Sequence, residues 1–467
     1  MRFRLLLVLL CIAVAPAYAA TARLWLTTAD GQQRLAPQPD VPASKPSAGG
    51  LQIRVDDARQ FQPVEGFGAS FSESSSWLIQ RLPDKQRQQL LRELFDRESG
   101  LGLSVTRVPM GGSDFSRTHG TYDDMPAGQT DPALEKFSLA RAQGEVLPAL
   151  RAALAINPGL KVFLSPWSAP AWMKTSGSLI KGRLDPKHYD AFARYFDQTL
   201  AGFKAQGVPV YGITLQNEPH FEPGDYPGMR VEPAERAAFI GNHLGPLLQR
   251  QWPQVKLFDW DHNWDQPESP LAVLADAKAR PFIAGVAWHC YGGDVSAQSP
   301  VQEKYPQIET WMTECSGGNW APKWSESLAW MTQNLVIGNL RHWGRGTILW
   351  NLALDENSGP HLGGCGDCRG VVTVDSKTGA VTRNVEYYVL GHASRFMKSG
   401  ARRIHSDSDV QGLHSVALLN ADGSIALILL NASAEPRSFA VVGSGQSFAT
   451  TFPPGAVGTL VWQRPRP

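Results

Sequence analysis

The stretch Tyr211-Gly-Ile-Thr-Leu-Gln-Asn-Glu-Pro219 begins as an apolar, β-branched run and ends on a proline. The run reads as a strand. Pro219 has no N–H to give to a ladder and restricts the residue before it, so the strand must stop there. Asn217 and Glu218 are thereby placed at its carboxyl end, with their side chains at the mouth. A second stretch, Ile308-Glu-Thr-Trp-Met-Thr-Glu-Cys-Ser-Gly-Gly318, has the same build: strand-like residues, then Glu314, then small turn residues. A single Glu at a strand end reads as a solvated loop residue. Two in matching contexts point to paired acid chemistry, because a parallel α/β barrel gathers side chains from distant strand ends onto one face.

Outward from these two stretches, strand and helix patterns alternate, which is the mark of βα units. Residues 64–71, 103–109, 161–165 and the run after 210 read as the first four strands. Residues 256–260, 285–289, 308–314 and 347–351 supply the fifth to eighth, which is enough to close a barrel. Helix patterns separate them at 84–97, 233–251 and 327–341. A further helix is expected from Asp185 as cap and Pro186 at its first position to Gly207, with Tyr189, Phe192, Tyr195, Phe196, Leu200 and Phe203 at helical spacing. Those aromatics read as core.

From about Phe396 the pattern changes to short strands, at 416–419, 425–430 and 459–462, with Asn420-Ala-Asp-Gly423 as a turn. Strand patterns at 23–28 and 51–55 precede the barrel, and 36–50 reads as a Pro/Ser/Gly-rich connection. The predicted fold class is α/β: a (β/α)8 TIM barrel with an appended antiparallel β-sandwich built from both ends of the chain. The expected division is 1–19, 20–63 and 396–467 for signal and sandwich, and 64–395 for the barrel.

Met1-Arg-Phe-Arg4, an apolar run and Ala17-Tyr-Ala19 have the three parts of a secretory signal, with cleavage expected after Ala19. No later segment offers the roughly 18 apolar residues of a membrane span, so the expectation is a soluble, secreted or periplasmic protein without an integral membrane anchor. The 44 basic and 43 acidic residues nearly cancel and give no electrostatic case for nucleic acid or an anionic membrane as partner. Cys290, Cys315, Cys365 and Cys368 remain after the signal, with three connectivities open. One Cys-x-x-Cys falls short of a four-ligand zinc site, so a loop disulfide or free thiols are expected over metal. Asn431-Ala-Ser433 matches a glycosylation acceptor, a three-residue pattern that chance also produces.

A longer series of motifs resembles glycoside hydrolase family 30, the family of acid β-glucosidase (glucosylceramidase). It runs from Gly66-Phe-Gly-Ala69 through Arg107-Val-Pro-Met110, Ser113-Asp-Phe-Ser116, Ser165-Pro-Trp-Ser168 and Ala171-Trp-Met-Lys174. It continues through Gln216-Asn-Glu-Pro219, His289-Cys-Tyr291, Thr313-Glu-Cys315 and Trp350-Asn-Leu-Ala353, in order over nearly the whole mature chain.

The resemblance implies a retaining mechanism, with Glu218 as general acid/base and Glu314 as nucleophile, their carboxyls about 5–5.5 Å apart. It also implies substrate-binding roles for Asp114 and Asn217 as polar partners of sugar hydroxyls, for Trp167 and Trp350 as apolar platforms, and for Tyr291 as a phenol near the nucleophile. Asn217 alternatively reads as a turn amide. Arg107 either holds a carboxylate ionised or forms a structural ion pair inside the barrel. His289 is expected to orient its neighbours, since both catalytic roles are filled. No cofactor or metal is implied.

The expected activity is on β-glucosides such as a glucosylceramide-like glycolipid, with β-1,6-glucanase or β-xylosidase as the alternative. The loop from Asp355 to Cys368 resembles bacterial members, which bears on the leaving group. From another class, a non-catalytic glycan-binding protein would keep the barrel but need neither Glu. A serine hydrolase acting on lipid esters lacks support, because no G-x-S-x-G elbow appears.

Overall fold

The computed structural model describes residues 20–44 and 50–465; the expected signal segment, 1–19, lies outside them. Eight parallel strands close a barrel in chain order: β1 Gly66–Ser70, β2 Val105–Pro109, β3 Lys161–Ser165, β4 Val210–Thr214, β5 Lys256–Asn263, β6 Ile283–His289, β7 Glu309–Glu314 and β8 Gly344–Asn351. Gly68 lets β1 approach β2, since a Cβ there would lie 1.8 Å from the Val105 carbonyl oxygen.

Strand alternation divides the interior into layers. Val105, Phe163, Phe258, Ala287, Trp311 and Ile348 pack into an apolar floor. Two residues further along their strands, Arg107, Ser165, His289 and Thr313 point into the same space and form a polar layer above it.

The helix expected from Asp185 starts as a 3-10 turn, Pro186–His188, capped by the Asp185 side chain, and becomes α-helical over Tyr189–Ala205. Its aromatic stripe is buried as core, and Gly207 ends the segment at φ +76°. The helix patterns at 233–251 and 327–341 are each continuous helices carrying an inner π-helical turn, Ile240–Leu244 and Thr332–Gly338.

The two ends of the chain meet in one 11-stranded sheet that folds back on itself around Ile53, Leu427, Phe439, Phe448 and Trp462. An isolated bridge from Ala43 to Phe448 brings its two ends together. The segment 36–50, read as connection, contributes the short strands Ala36–Pro37 and Val41–Pro42. The sheet is not purely antiparallel, because Leu51–Pro63 pairs in parallel with Arg437–Gly443. These segments come from opposite ends of the chain, so no hairpin dictates their direction.

Ser424–Asn431 explains why its sequence shows no polar alternation. Ile425, Leu427 and Leu429 face the sandwich core, while Ala426, Ile428 and Leu430 face the barrel side. Both faces are covered, so both must be apolar. Across this seam His392, on the helix Val385–Ser394, bonds Thr459 Oγ1 at 3.0 Å and Thr27 Oγ1 at 2.8 Å. Asn431 is also committed: its side-chain amide donates to the carbonyls of Glu435, Phe452 and Pro453, and the residue is fully buried.

Candidate active site

Beyond β4 the chain turns sharply. Asn217 N–H donates to the Pro166 carbonyl at 2.9 Å and Glu218 N–H to the Asp261 carbonyl at 3.0 Å. These bonds hold Glu218 at φ +49°, a conformation that costs free energy in a residue other than glycine and marks functional positions. Glu314 needs no such device, as the last residue of β7.

Asp261 is the centre of the polar layer and was not singled out from the sequence. Asp259 bonds Arg236 in the helix outside the barrel, and Trp260 packs there against His220. Two successive residues thus face outward, the β5–β6 register shifts, and Trp260 and Asp261 both take positive φ, 78° and 54°. This β-bulge turns Asp261 into the barrel. Its Oδ2 accepts from Arg107 at 2.7 Å, Ser165 at 2.8 Å and Thr214 at 2.6 Å. Its Oδ1 accepts from Thr313 at 2.6 Å and from His289 Nε2 at 3.1 Å. Burial alone would raise its pKa, but Arg107, His289 and Thr214 hold it well below the usual carboxylate range.

Arg107 and His289 connect this buried charge to the two glutamates. Arg107 Nη1 donates to Glu314 Oε2 at 2.7 Å, and its Nη2 also donates to Asn217 Oδ1 at 2.6 Å. Arg107 is therefore both the holder of a carboxylate and an interior ion pair. Tyr291 Oη donates to Glu314 Oε1 at 3.0 Å, so both oxygens of Glu314 are gripped. His289 Nδ1 lies 3.1 Å from Glu218 Oε1. His262 Nδ1, which has no hydrogen-bond partner among the described residues, lies 3.7 Å from that same oxygen.

Burial would lower His289, but the Glu314, Asp261 and Glu218 charges bring it up to about 9. Burial tends to raise Glu218, and the bond and charge of His289, with His262 and Arg107, draw it below the ordinary range instead. Glu314 is raised, burial leading, with Glu218 and Asp261 adding to it against His289 and Arg107. Hydrogen bonding argues the other way for Glu314, since donors on both oxygens favour its ionised form.

The proton between His289 and Glu218 links the two views. Nε2 is committed to Asp261, so that proton sits either on Nδ1, facing a Glu218 carboxylate, or on Glu218, facing a neutral imidazole.

The two glutamates line one cavity of about 670 Å³, together with Asp114, Tyr226, Tyr291 and Trp350. Burial, with the Glu314 and Glu218 charges, pushes Asp114 up to about 8. Trp167 sits one layer back: it is buried, and its ring stacks on Trp350 at 5.0 Å with the Arg107 guanidinium 4.7 Å from its centroid. Asn217 is nearly buried, its amide oxygen occupied by Arg107.

Two disulfides frame the site. Cys290–Cys315 ties the ends of β6 and β7, and Cys365–Cys368 closes the loop over Asp114, so the four cysteines are paired and hold no zinc. Among the described residues one trio, Glu218, His262 and His289, offers ligand atoms within 4.8 Å of one another.

The rim is aromatic. Phe221, Tyr291 and Trp320 line the cavity from loops at the carboxyl ends of strands and, with Leu362 on the loop after β8, are among the few large apolar side chains left exposed. Of these, Phe221, Trp320 and Leu362 were not singled out in the sequence, where nothing separates a rim aromatic from a core one.

The family model described as glycosyl hydrolase family 30 TIM-barrel domain matches residues 64–397, and that described as glycosyl hydrolase family 30 beta sandwich domain matches 400–460. An endo-1,6-beta-D-glucanase of Neurospora crassa is 34% identical over 401 residues, covering 81% of each chain. The lysosomal acid glucosylceramidase of Mus musculus is 29% identical over 447 residues, covering 89% of this chain and 84% of its own. Among solved structures, the endo-beta1,6-glucanase BT3312 superposes with a TM-score of 0.87 at 29% identity, over 95% of this chain and all of that one.

Proposed function

Because the chain belongs to glycosyl hydrolase family 30, we propose that this glycoside hydrolase cleaves β-1,6-linked glucan with retention, through a covalent glycosyl-enzyme. The observation that carries the reading is the placing of Glu218 and Glu314 in one cavity, the first bonded to His289 and the second gripped by Arg107 and Tyr291. The choice of linkage is supported by the similarity to endo-1,6-glucanases, which is greater than that to glucosylceramidases. The glucosylceramide-like substrate that the sequence reading put first thus becomes the second reading, favoured by the apolar rim.

In the first step the Glu314 carboxylate attacks the anomeric carbon as the glycosidic bond breaks. The leaving O6 takes a proton from Glu218. Arg107 and Tyr291 fix the attacking oxygens and spare the carboxylate any reorganisation. The proton required is the one held between His289 and Glu218. On reaching Glu218 it removes the imidazolium and carboxylate charges together, leaving Arg107 and Tyr291 as the partners of Glu314. In the second step Glu218, now a base, takes a proton from water as the oxygen attacks the same carbon and frees Glu314. Export is part of the proposal, supported by the pattern of residues 1–19 and by the two disulfides.

Assay of the purified protein on β-1,6-glucan, glucosylceramide and nitrophenyl β-glycosides tests the reading, with NMR of the first-formed anomer. Release of β-configured products from β-1,6-glucan is expected. Turnover of glucosylceramide alone would overturn the linkage, initial α product would overturn the role of Glu314, and no turnover on any substrate would favour a glycan-binding protein.

A further inference from the structure

Beside the catalytic cavity lies a second chamber of about 420 Å³, lined by Tyr291, Ser316, Trp320, Glu326, Ser327 and Trp330 among others. Both volumes fall in the range of small-ligand sites, roughly 300–1,000 Å³. The two share Tyr291 and Trp320 as a common wall, whereas Asp114, Glu218 and Trp350 line only the first.

The wall is built to hold an indole. Gly317–Gly318 pairs with Cys368–Arg369, and a Cβ on Gly318 would lie 2.0 Å from the Trp320 ring. Only glycine lets that ring lie back on the turn. Across the chamber, Trp330 stands on the helix Trp324–Met331 with 46% of its surface exposed, and Trp320 is 54% exposed. Leaving two indoles in water costs free energy unless something covers them.

We infer that the chamber bounded by Tyr291, Trp320 and Trp330 is a binding subsite for the leaving-group side of a β-1,6-glucan chain. The inference rests on the function proposed above. Asp114, just beyond β2, and Trp350, in β8, line the first cavity but not the chamber, which is walled by the segments after β6 and β7, so the sugar that forms the ester is assigned to the Asp114 and Trp350 side. The chain beyond the scissile bond then leaves over Tyr291, whose hydroxyl already touches Glu314, and passes Trp320.

The chamber's chemistry fits a sugar better than a hydrocarbon. A pyranose lays its C–H face on an indole and turns its hydroxyls to the edge. At that edge stand Ser316, Ser327 and Glu326, the last paired with the exposed Lys323 at 2.8 Å. Such a surface pair is weak and readily exchanged for a hydroxyl. A lipid tail laid on that edge would instead have to desolvate the Glu326–Lys323 pair, which is costly.

The test compares Trp330→Ala and Trp330→Phe with the parent enzyme on nitrophenyl β-glucoside and on β-1,6-linked gluco-oligosaccharides of two to six units. The parent's kcat/KM is expected to rise with chain length. Trp330→Ala should affect the aryl glucoside and the two-unit substrate, whose leaving groups reach only the position beside Tyr291, less than the longer oligosaccharides, on which the rise with length collapses by about tenfold, the scale of a lost aromatic stacking contact. Trp330→Phe should restore most of it. Trp330 is half exposed, so an unchanged melting temperature is expected and separates the effect from misfolding. A parent-like length profile in Trp330→Ala would overturn the inference and leave the proposed function standing. A parent enzyme inert on every β-1,6-linked oligosaccharide would overturn both.

Discussion

Arg107 lies 2.7 Å from the Asp261 carboxylate, both side chains wholly buried beneath the two glutamates. The pair is the support on which the site stands, because the same guanidinium grips Glu314 and Asn217 and the same carboxylate orients His289. Breaking a buried ion pair from one side costs about 3–5 kcal/mol, because the remaining charge is left unsolvated. Asp261→Asn is therefore expected to lower the melting temperature clearly and to reduce kcat although it touches no substrate. Thermal melts and steady-state kinetics on the same preparation check both; a stable, fully active variant would refute the supporting role.

Glu218→Gln and Glu314→Gln should fail in different ways. General acid assistance is worth about 10²–10⁴ in rate, and less when the leaving group is already good. Glu218→Gln is thus expected to lose most on glucan and least on a dinitrophenyl glucoside in the glycosylation step. Glu314→Gln should lose turnover on both, because no covalent intermediate can form. Equal losses on the two substrates for Glu218→Gln would exclude it as the acid.

Activity should fall as pH rises through about 9, where His289 loses the proton it shares with Glu218. The pH profile of kcat/KM reads this limb directly. Its absence would mean that the acid draws its proton elsewhere.

Stability should fall on the acid side because of His392. Burial between Thr27 and Thr459 lowers it to about 3 from an ordinary 6.5, so the folded protein holds it neutral. The unfolded chain takes up that proton first, and stability is lost as pH drops from 6.5 towards 3. His392→Gln should flatten the pH dependence of chemical denaturation over that range.

Chelators are expected to leave turnover unchanged, whereas added Zn²⁺ should inhibit. The trio that could bind it contains Glu218, whose proton the metal would displace. Loss of activity on dialysis against chelator would show that the reaction needs a metal.

Much of this was legible in the chain. The barrel strands follow from runs bounded by breakers, and the helix over Tyr189–Ala205 from the spacing of its aromatics. Glu218 and Glu314 were readable because each ends such a run. Trp167 and Trp350 could be matched to a family pattern, but not told apart as the ring that lines the cavity and the ring stacked behind it, because both are buried and the stacking joins two distant strands. The parallel pairing of Leu51–Pro63 with Arg437–Gly443 left no local mark either, since it joins segments from opposite ends of the chain.

By itself the sequence determined the periodicities and the breakers, and with them the barrel, the two strand-end carboxyls and the family. Those are properties of neighbours along the chain. Only the tertiary structure decided that Asp261 and not Trp260 points inward, because a bulge reverses the alternation and is paid for by bonds from β2, β3, β4, β6 and β7. A charge that five other strands must satisfy has no signature in the one that carries it.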